Sequence, residues 1–290
     1  MEPVLQALAN GVIIGAIVAL TAVGLSLIYS ILDLTNFAHG DTVTVGAYAA
    51  LAVNIAWGVS PWVGVLVGML VGAVISVVLE VVLWSKLRRS GADRVTLIVV
   101  SIGLALFLRN LIIFIYGTSS VSYQVPVEQA LLLGPVMLTP QQIQVTAAAA
   151  LAALAVHLIL QYTTIGKAMR ALADNMDLAW VSGVNVDNVI LWTWVLGGLL
   201  AAGGGALYAF TRPINPNLGW FLLLPMFAAI ILGGIGNAYG AMLGGLLIGV
   251  TQELSALVIP NHYKLAVGYA VMIAILFLLP RGLLGKEDLT

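Results

Sequence analysis

The sequence predicts an all-α, polytopic membrane protein with about eight or nine transmembrane helices, some of them broken or re-entrant. Two compositional facts and one pattern carry that prediction. Hydrophobic residues fill 61% of the 290 positions and charged residues only 8%, where a soluble domain usually carries about 25% charge. Mean hydropathy is +1.09. Apolar runs of the length needed to cross roughly 30 Å of hydrocarbon, about 20 residues each, recur from end to end. No Ser/Pro-rich linker or charged block marks off a soluble unit, so residues 1–290 read as a single transmembrane domain.

Taken in order, residues 4–32 form the first span and contain no charged side chain. The N-terminus lacks a basic leader region, and this run is too long for a signal-peptide core, so it is expected to remain as a spanning helix. Residues 42–57 are shorter, and 61–84 make a full span with Pro61 at a favourable helix start. Spans 95–116 and 143–162 follow, separated by a polar loop at 117–142. Then come 189–210, a short piece at 221–235, and finally 239–259 and 265–280. The short pieces are either crossings or half-helices, hence eight or nine. "GGLLAAGGGALY" (197–208) and "GGIGNAYGAMLGGLLIG" (233–249) place small residues four apart, which lets helix backbones approach closely in lipid.

Basic residues cluster at Lys86, Arg88, Arg89 and Arg94, at Lys167 and Arg170, and at Arg281 and Lys286. The positive-inside rule assigns all three clusters to the cytoplasm. Three crossings before Lys86 put the N-terminus outside; a re-entrant 42–57 segment would put it inside.

Internal similarity is also visible. At an offset of 179 residues, Gly24 falls on Gly203, Tyr29 on Tyr208, Asn36 on Asn215 and Gly40 on Gly219, and Ala49–Ala50 on Ala228–Ala229. The two segments run in opposite directions through the predicted topology, the arrangement of an inverted repeat. Two helix breaks, "LTNFAHGD" (34–41) and "RPINPNLGW" (212–220), are then expected beside a pseudo-twofold axis.

The first break brings Asn36, His39 and Asp41 together between apolar runs. One reading is a surface turn in which His39 caps a helix end. The other is a polar path, because unpaired backbone inside a membrane is tolerated only beside protein or water, and transporters use such breaks to meet polar substrates. Gly40 would let the chain turn. Further ionisable residues in or near the spans are Glu80, Arg109 and Glu253, of which Arg109 lies deepest in its run.

Several function classes find no support. Cysteine is absent, which removes disulfides, thiolate metal sites and cysteine nucleophiles together. Net charge is −1, giving no attraction for nucleic acid. Zinc-protease, nucleophile-elbow and phosphate-loop motifs are missing, and His39, His157 and His262 lie far apart in the sequence. No catalytic or metal site is expected, and the chain reads as a non-enzyme.

The polar segment "GKAMRALADNMDLAWVSGVNVD" (166–187) places Met169, Leu172, Met176 and Ala179 three and four residues apart, marking one apolar helix face. Arg170, Asp174 and Asp177 occupy other faces, and Gly183 ends the helix. Such a helix either lies on the membrane or docks into a partner's groove.

"NFAHGD" (36–41) with "GAYAAL" (46–51), "GKAMRALADNMDLAWVSGVNV" (166–186), "ILGGIGNAYGAMLGGLLIG" (231–249) and "LLPRGLLG" (278–285) together resemble branched-chain amino-acid ABC importer permeases of the LivH type, in order and over nearly the whole chain. The sequence departs from that pattern at Asp33, where the family often has Gly, and at Thr35, where it has Ile or Val. Urea and short-chain amide importers share this permease type, with Met more often at the position of Phe37.

The resemblance implies an inner-membrane subunit that binds no cofactor and leaves ATP hydrolysis to partner subunits. Its partners would be a second permease, two ATP-binding cassette subunits and an extracytoplasmic solute-binding protein. The substrate path would involve Asn36, Phe37, His39, Gly40 and Asn215. The segment 166–183 would be the coupling helix, contacting an ATPase through Gly166, Arg170, Ala171, Asn175, Ala179 and Gly183. Against this stands a self-sufficient channel or ion-driven carrier with Asn36, His39 and Arg109 as its site.

Overall fold

A computed structural model describes residues 2–124, 129–279 and 281–285, so Lys286 lies outside the described residues. Its helices are α1 (Glu2–Leu32), α2 (Ala38–Trp57), α3 (Pro61–Leu79), α4 (Ser85–Arg89), α5 (Arg94–Tyr116), α6 (Pro140–Tyr162), α7 (Thr164–Asp174), α8 (Met176–Val181), α9 (Val186–Thr211), α10 (Leu218–Gly233), α11 (Ala238–Ser255) and α12 (Lys264–Leu278). A π-helical turn, Glu80–Trp84, joins α3 to α4 without a break. The extra residue per turn buries Glu80 and turns Trp84 inward, where its ring stacks on Trp194 at 6.0 Å. Glu80 pairs with Arg88 through two guanidinium hydrogen bonds, which makes its burial tolerable at the membrane boundary.

Helix starts follow local signals. Ser60 caps α3 ahead of Pro61, and Thr139 and Gln142 form a capping box ahead of α6, with Pro140 at its first position. The predicted loop at 117–142 contains a small hairpin, β1 (Leu131–Leu133) and β2 (Val136–Leu138), turning at Gly134–Pro135.

Among the described residues, six helical segments are long and apolar enough to cross a membrane: Glu2–Leu32, Pro61–Arg89, Arg94–Tyr116, Pro140–Tyr162, Val186–Thr211 and Asn261–Leu278. That is fewer than the eight or nine expected. The difference lies in α2, α10 and α11. Helix α10 has 16 residues, α2 carries His39, Asp41 and Asn54, and α11 carries Gln252 and Glu253.

The interior is built around α1 and α9, which are buried along most of their length, whereas α5, α6 and α12 expose most of theirs. Helix α1 packs chiefly on α11 and α9, α3 on α9 and α2, and α10 on α11. The predicted small-residue contacts are present: a Cβ built on Gly15 would lie 2.9 Å from Leu246 Cα, and one on Gly245 would lie 2.5 Å from Ala19 Cα. Outward faces are greasy. Leu66, Leu70, Val74 and Val78 make an exposed apolar stripe on α3, which hydrocarbon tolerates and water would not.

The ends of the bundle differ in charge. At one end Asp33 pairs with Arg94, Arg89 lies 3.8 Å from Asp187, and Leu283 and Leu284 donate to the carbonyls of Leu232 and Gly233. Arg170 lines a cleft with Asp33 at the same end, so members of all three basic clusters gather there. At the other, Gln6 bonds Met137, Val121 pairs with Ile214, and Glu253 lies 2.8 Å from Lys264 and 3.8 Å from Arg212. Glu253 is therefore the centre of a small ion-pair cluster at a helix end.

Candidate functional site

The helix break is shorter than the motif suggests. Helix α2 starts at Ala38, four residues earlier than the predicted 42–57, so the non-helical piece is 33–37 and His39, Gly40 and Asp41 are already helical. Asp33 has φ +50°, in the left-handed region where glycine is favoured and aspartate tolerated. The freed backbone is then satisfied locally. Asn36 Oδ1 accepts from the Ala38 N–H at 3.1 Å, the Asn36 carbonyl accepts from His39 N–H, and Ser101 Oγ accepts from Phe37 N–H at 3.2 Å.

His39 does not cap a helix end at the surface. It is buried, with Nε2 3.1 Å from the Thr21 carbonyl in the middle of α1. Phe37 packs its ring 5.3 Å from Phe227 of α10.

Asn215 repeats the arrangement at the second break. Its Oδ1 accepts from Asn217 N–H at 3.0 Å and its carbonyl from Leu218 N–H at 3.0 Å, the same offsets as at Asn36. The helices that start from these breaks cross at their glycines. A Cβ on Gly40 would lie 2.6 Å from the Gly219 carbonyl oxygen, and one on Gly219 would overlap the Gly40 carbonyl. Gly219 N–H donates to Thr44 Oγ1 at 2.8 Å. Phe37 with Phe227, Gly40 with Leu223 and Thr44 with Gly219 are successive contacts, so α2 and α10 run antiparallel.

Beside this crossing sits an ion pair. Arg109 of α5 donates from Nε and Nη2 to the two carboxylate oxygens of Asp41, both at 3.2 Å, and its guanidinium lies 5.0 Å from the Trp220 ring. Both charged side chains are withdrawn from the surface, with side-chain exposures of 12% for Arg109 and 1% for Asp41. The group links α2, α5 and α10. Arg109 was legible as an ionisable residue inside a span; its partner, 68 residues earlier, was not.

The polar segment after α6 differs from the single helix expected over 166–183. It is two helices, α7 and α8, because Asn175 stands in an extended conformation and its side chain caps α8 by accepting from Leu178 N–H at 2.9 Å. The apolar face is as read: Met169, Leu172 and Ala179 are buried and Met176 half-buried. Arg170, Asp174 and Asp177 are exposed, Ala171 is half-buried, and Gly183, at φ +87°, follows the end of α8. Gly166 sits where a Cβ would overlap the Ile159 carbonyl, so the α6–α7 corner closes only around glycine. On α8, Leu178, Trp180 and Val181 are exposed beside this charged surface, at the basic end of the bundle.

With the helix crossing and the amphipathic helix pair at the basic end described, comparison with known proteins decides the family. The model of the branched-chain amino acid transport system permease component matches residues 7–276. The chain belongs to that family. The permease is 32% identical to the high-affinity branched-chain amino acid transport system permease protein LivH of Escherichia coli K12, over 98% of this chain and 96% of the relative. It is 30% identical to BraD, the permease protein of the corresponding high-affinity system of Pseudomonas aeruginosa, with the same coverage of both chains. A probable LivH permease of Methanocaldococcus jannaschii is 27% identical over 97% of this chain and 92% of its own. No solved structure matches the chain. The protein is thus a multi-pass inner-membrane permease component of a branched-chain amino acid ABC transport system and not itself an enzyme.

Proposed function

We propose that the permease forms the path for leucine, isoleucine and valine together with a second, related permease, and that ATP hydrolysed by two partner ATPases moves it. A solute-binding protein outside the membrane would deliver the substrate. The end-to-end similarity to permeases of high-affinity branched-chain amino acid systems is the observation that carries this reading. Phe37 supports the amino-acid branch over the urea and amide branch. The chain itself binds no cofactor in this account.

The basic end is the cytoplasmic end by the positive-inside rule, which places the start of α1 outside. Helices α7 and α8 then face the cytoplasm and act as the coupling element, with Gly166, Arg170, Ala171, Asn175, Ala179 and Gly183 shaping the surface an ATPase meets. Leu178, Trp180 and Val181 support this, being large apolar side chains exposed at that end.

The two halves form an inverted repeat. What supports it is the set of antiparallel partners at an offset of 179: α1 ends at Leu32 and α9 at Thr211, Asn36 and Asn215 make the same hydrogen bonds, and Gly40 touches Gly219. Ala50 likewise meets Gly64 as Ala229 meets Gly244. Asn36, Phe37, His39, Gly40 and Asn215 lie where the halves cross, and rocking of one half on the other would expose them to the substrate path.

The coupling assignment is open to a direct test, because the chain has no cysteine. A single cysteine in place of Asp177, which is exposed on α8, is expected to cross-link to an ATPase subunit in membranes holding the complete transporter. A cysteine in place of Leu132, at the opposite end, is the control and should not. Equal labelling of both, or of neither, counts against the assignment.

A further inference from the structure

At the basic end a cleft of about 580 Å³ separates α6 and α7 from the start of α11, with the last turn of α1 as its floor. Leu160, Met169 and Arg170 line one wall, and Asn237 and Tyr239 the other. Helix α6 packs on α1, α7 and α9, and α11 on α1, α10 and α12, so the two walls meet chiefly through their common neighbour α1 rather than by packing on each other. One set of side chains joins them. Arg170 Nη1 donates to Gln161 Oε1 at 2.9 Å, and Gln161 Nε2 donates to the Tyr239 hydroxyl at 3.0 Å. The Tyr239 hydroxyl is 3.0 Å from His157 Nδ1, and the two rings meet edge-on at 5.7 Å. With the His157 proton on Nε2, every donor in the series has its own acceptor: guanidinium to amide oxygen, amide nitrogen to phenol oxygen, phenol proton to imidazole.

We propose that this series is a clasp through which displacement of α7 is passed to α11, with Tyr239, Gln161 and His157 as positioning residues for transport. The proposal rests on the reading of α7–α8 as the coupling element. Tyr239 lies in the first turn of α11, whose N–H groups are held by the Asn237 cap. Helix α11 in turn is packed glycine-to-backbone along α1, at Gly245 against Ala19 and Gly249 against Gly15. Close-packed helices move as a unit rather than deforming, so a pull on Tyr239 reaches α1 and the break at 33–37 that ends it. The clasp adds a direct side-chain route across the cleft to the packing contacts that α6 and α7 already make with α1. In this series Arg170, although exposed, fixes the Gln161 amide with its nitrogen toward the phenol.

The test uses the complete transporter, with its partner permease, ATPases and binding protein, in proteoliposomes. Tyr239→Phe removes one hydroxyl and keeps the ring. The complex is expected to assemble and to hydrolyse ATP at the normal rate, while leucine moved per ATP falls about fivefold, the low end of coupling between sites. Gln161→Leu should give the same loss, and the double variant should be no worse than either, because both cut one series. Should Tyr239→Phe fail to assemble, Gln161→Leu decides alone. A wild-type transport-to-ATP ratio in either assembled variant overturns the proposal, and so does a proportional fall of transport and hydrolysis. The coupling reading fails separately, by loss of the Asp177→Cys cross-link in the otherwise wild-type protein.

Discussion

Replacing Gly219 with leucine is expected to abolish both the folded α2–α10 crossing and transport. The site has no room to give: the atoms a Cβ would overlap are the Gly40 carbonyl oxygen and carbon, backbone atoms within α2, and the third nearest is Thr44 Oγ1, which holds the Gly219 N–H. Overpacking a well-filled interior usually costs about 1–3 kcal/mol, and more where backbone rather than a flexible side chain must move. Folded yield and thermal unfolding in detergent check the first effect, and uptake in cells the second. Gly103 provides the contrast, because a Cβ there meets nothing within 4 Å. Gly103→Leu on the same chain is expected to retain folding, and equal damage from both substitutions would remove the special role given to the crossing.

The second large effect concerns Asp41. Asp41→Ala leaves the Arg109 guanidinium withdrawn from the surface without its carboxylate, and breaking a buried pair in this way costs about 3–5 kcal/mol. The cation–π contact with Trp220 survives, but it compensates only part of that loss. Thermal unfolding of the purified protein is the measurement, with a clear fall in melting temperature expected. Adding Arg109→Met removes the stranded charge and is expected to recover most of the stability. A double variant as unstable as Asp41→Ala would mean that the charge pair is not the cause. Transport by a stable double variant would also show that neither charge is needed on the substrate path, the opposite of what an ion-driven carrier built on Arg109 requires.

Six of the spans and the packing surfaces were legible because lipid imposes a simple code: long apolar runs, small residues four apart, and basic residues at one end. The apolar face over Met169, Leu172 and Ala179 followed from helical spacing alone. The offset of 179 was visible because close helix crossings demand small residues, as at Gly40 and Gly219. Where the reading stopped has equally physical reasons. The start of α2 was placed too late because His39 and Asp41 look like loop residues until their partners, Thr21 and Arg109, are known. Single-helix periodicity ran through Asn175 and missed the break, although an asparagine ahead of Met176–Val181 is a capping signal in its own right. The π-helical turn at Glu80–Trp84 and the His157–Tyr239 contact leave no local trace, since each depends on residues far away in the chain.

The residues proposed for the substrate path divide along the same line. Asn36 and Asn215 were identified from the breaks, and both spend their side-chain oxygens on the first turns of the helices that follow. Those bonds make them structural in the conformation described, and available to a substrate only if the crossing opens.

The most direct test of the account is uptake of labelled leucine into proteoliposomes holding the permease with its partner subunits and binding protein, with ATP inside and the proton gradient collapsed. Uptake that requires ATP and continues without the gradient is the predicted result. Uptake that follows the gradient and proceeds without ATP would contradict it.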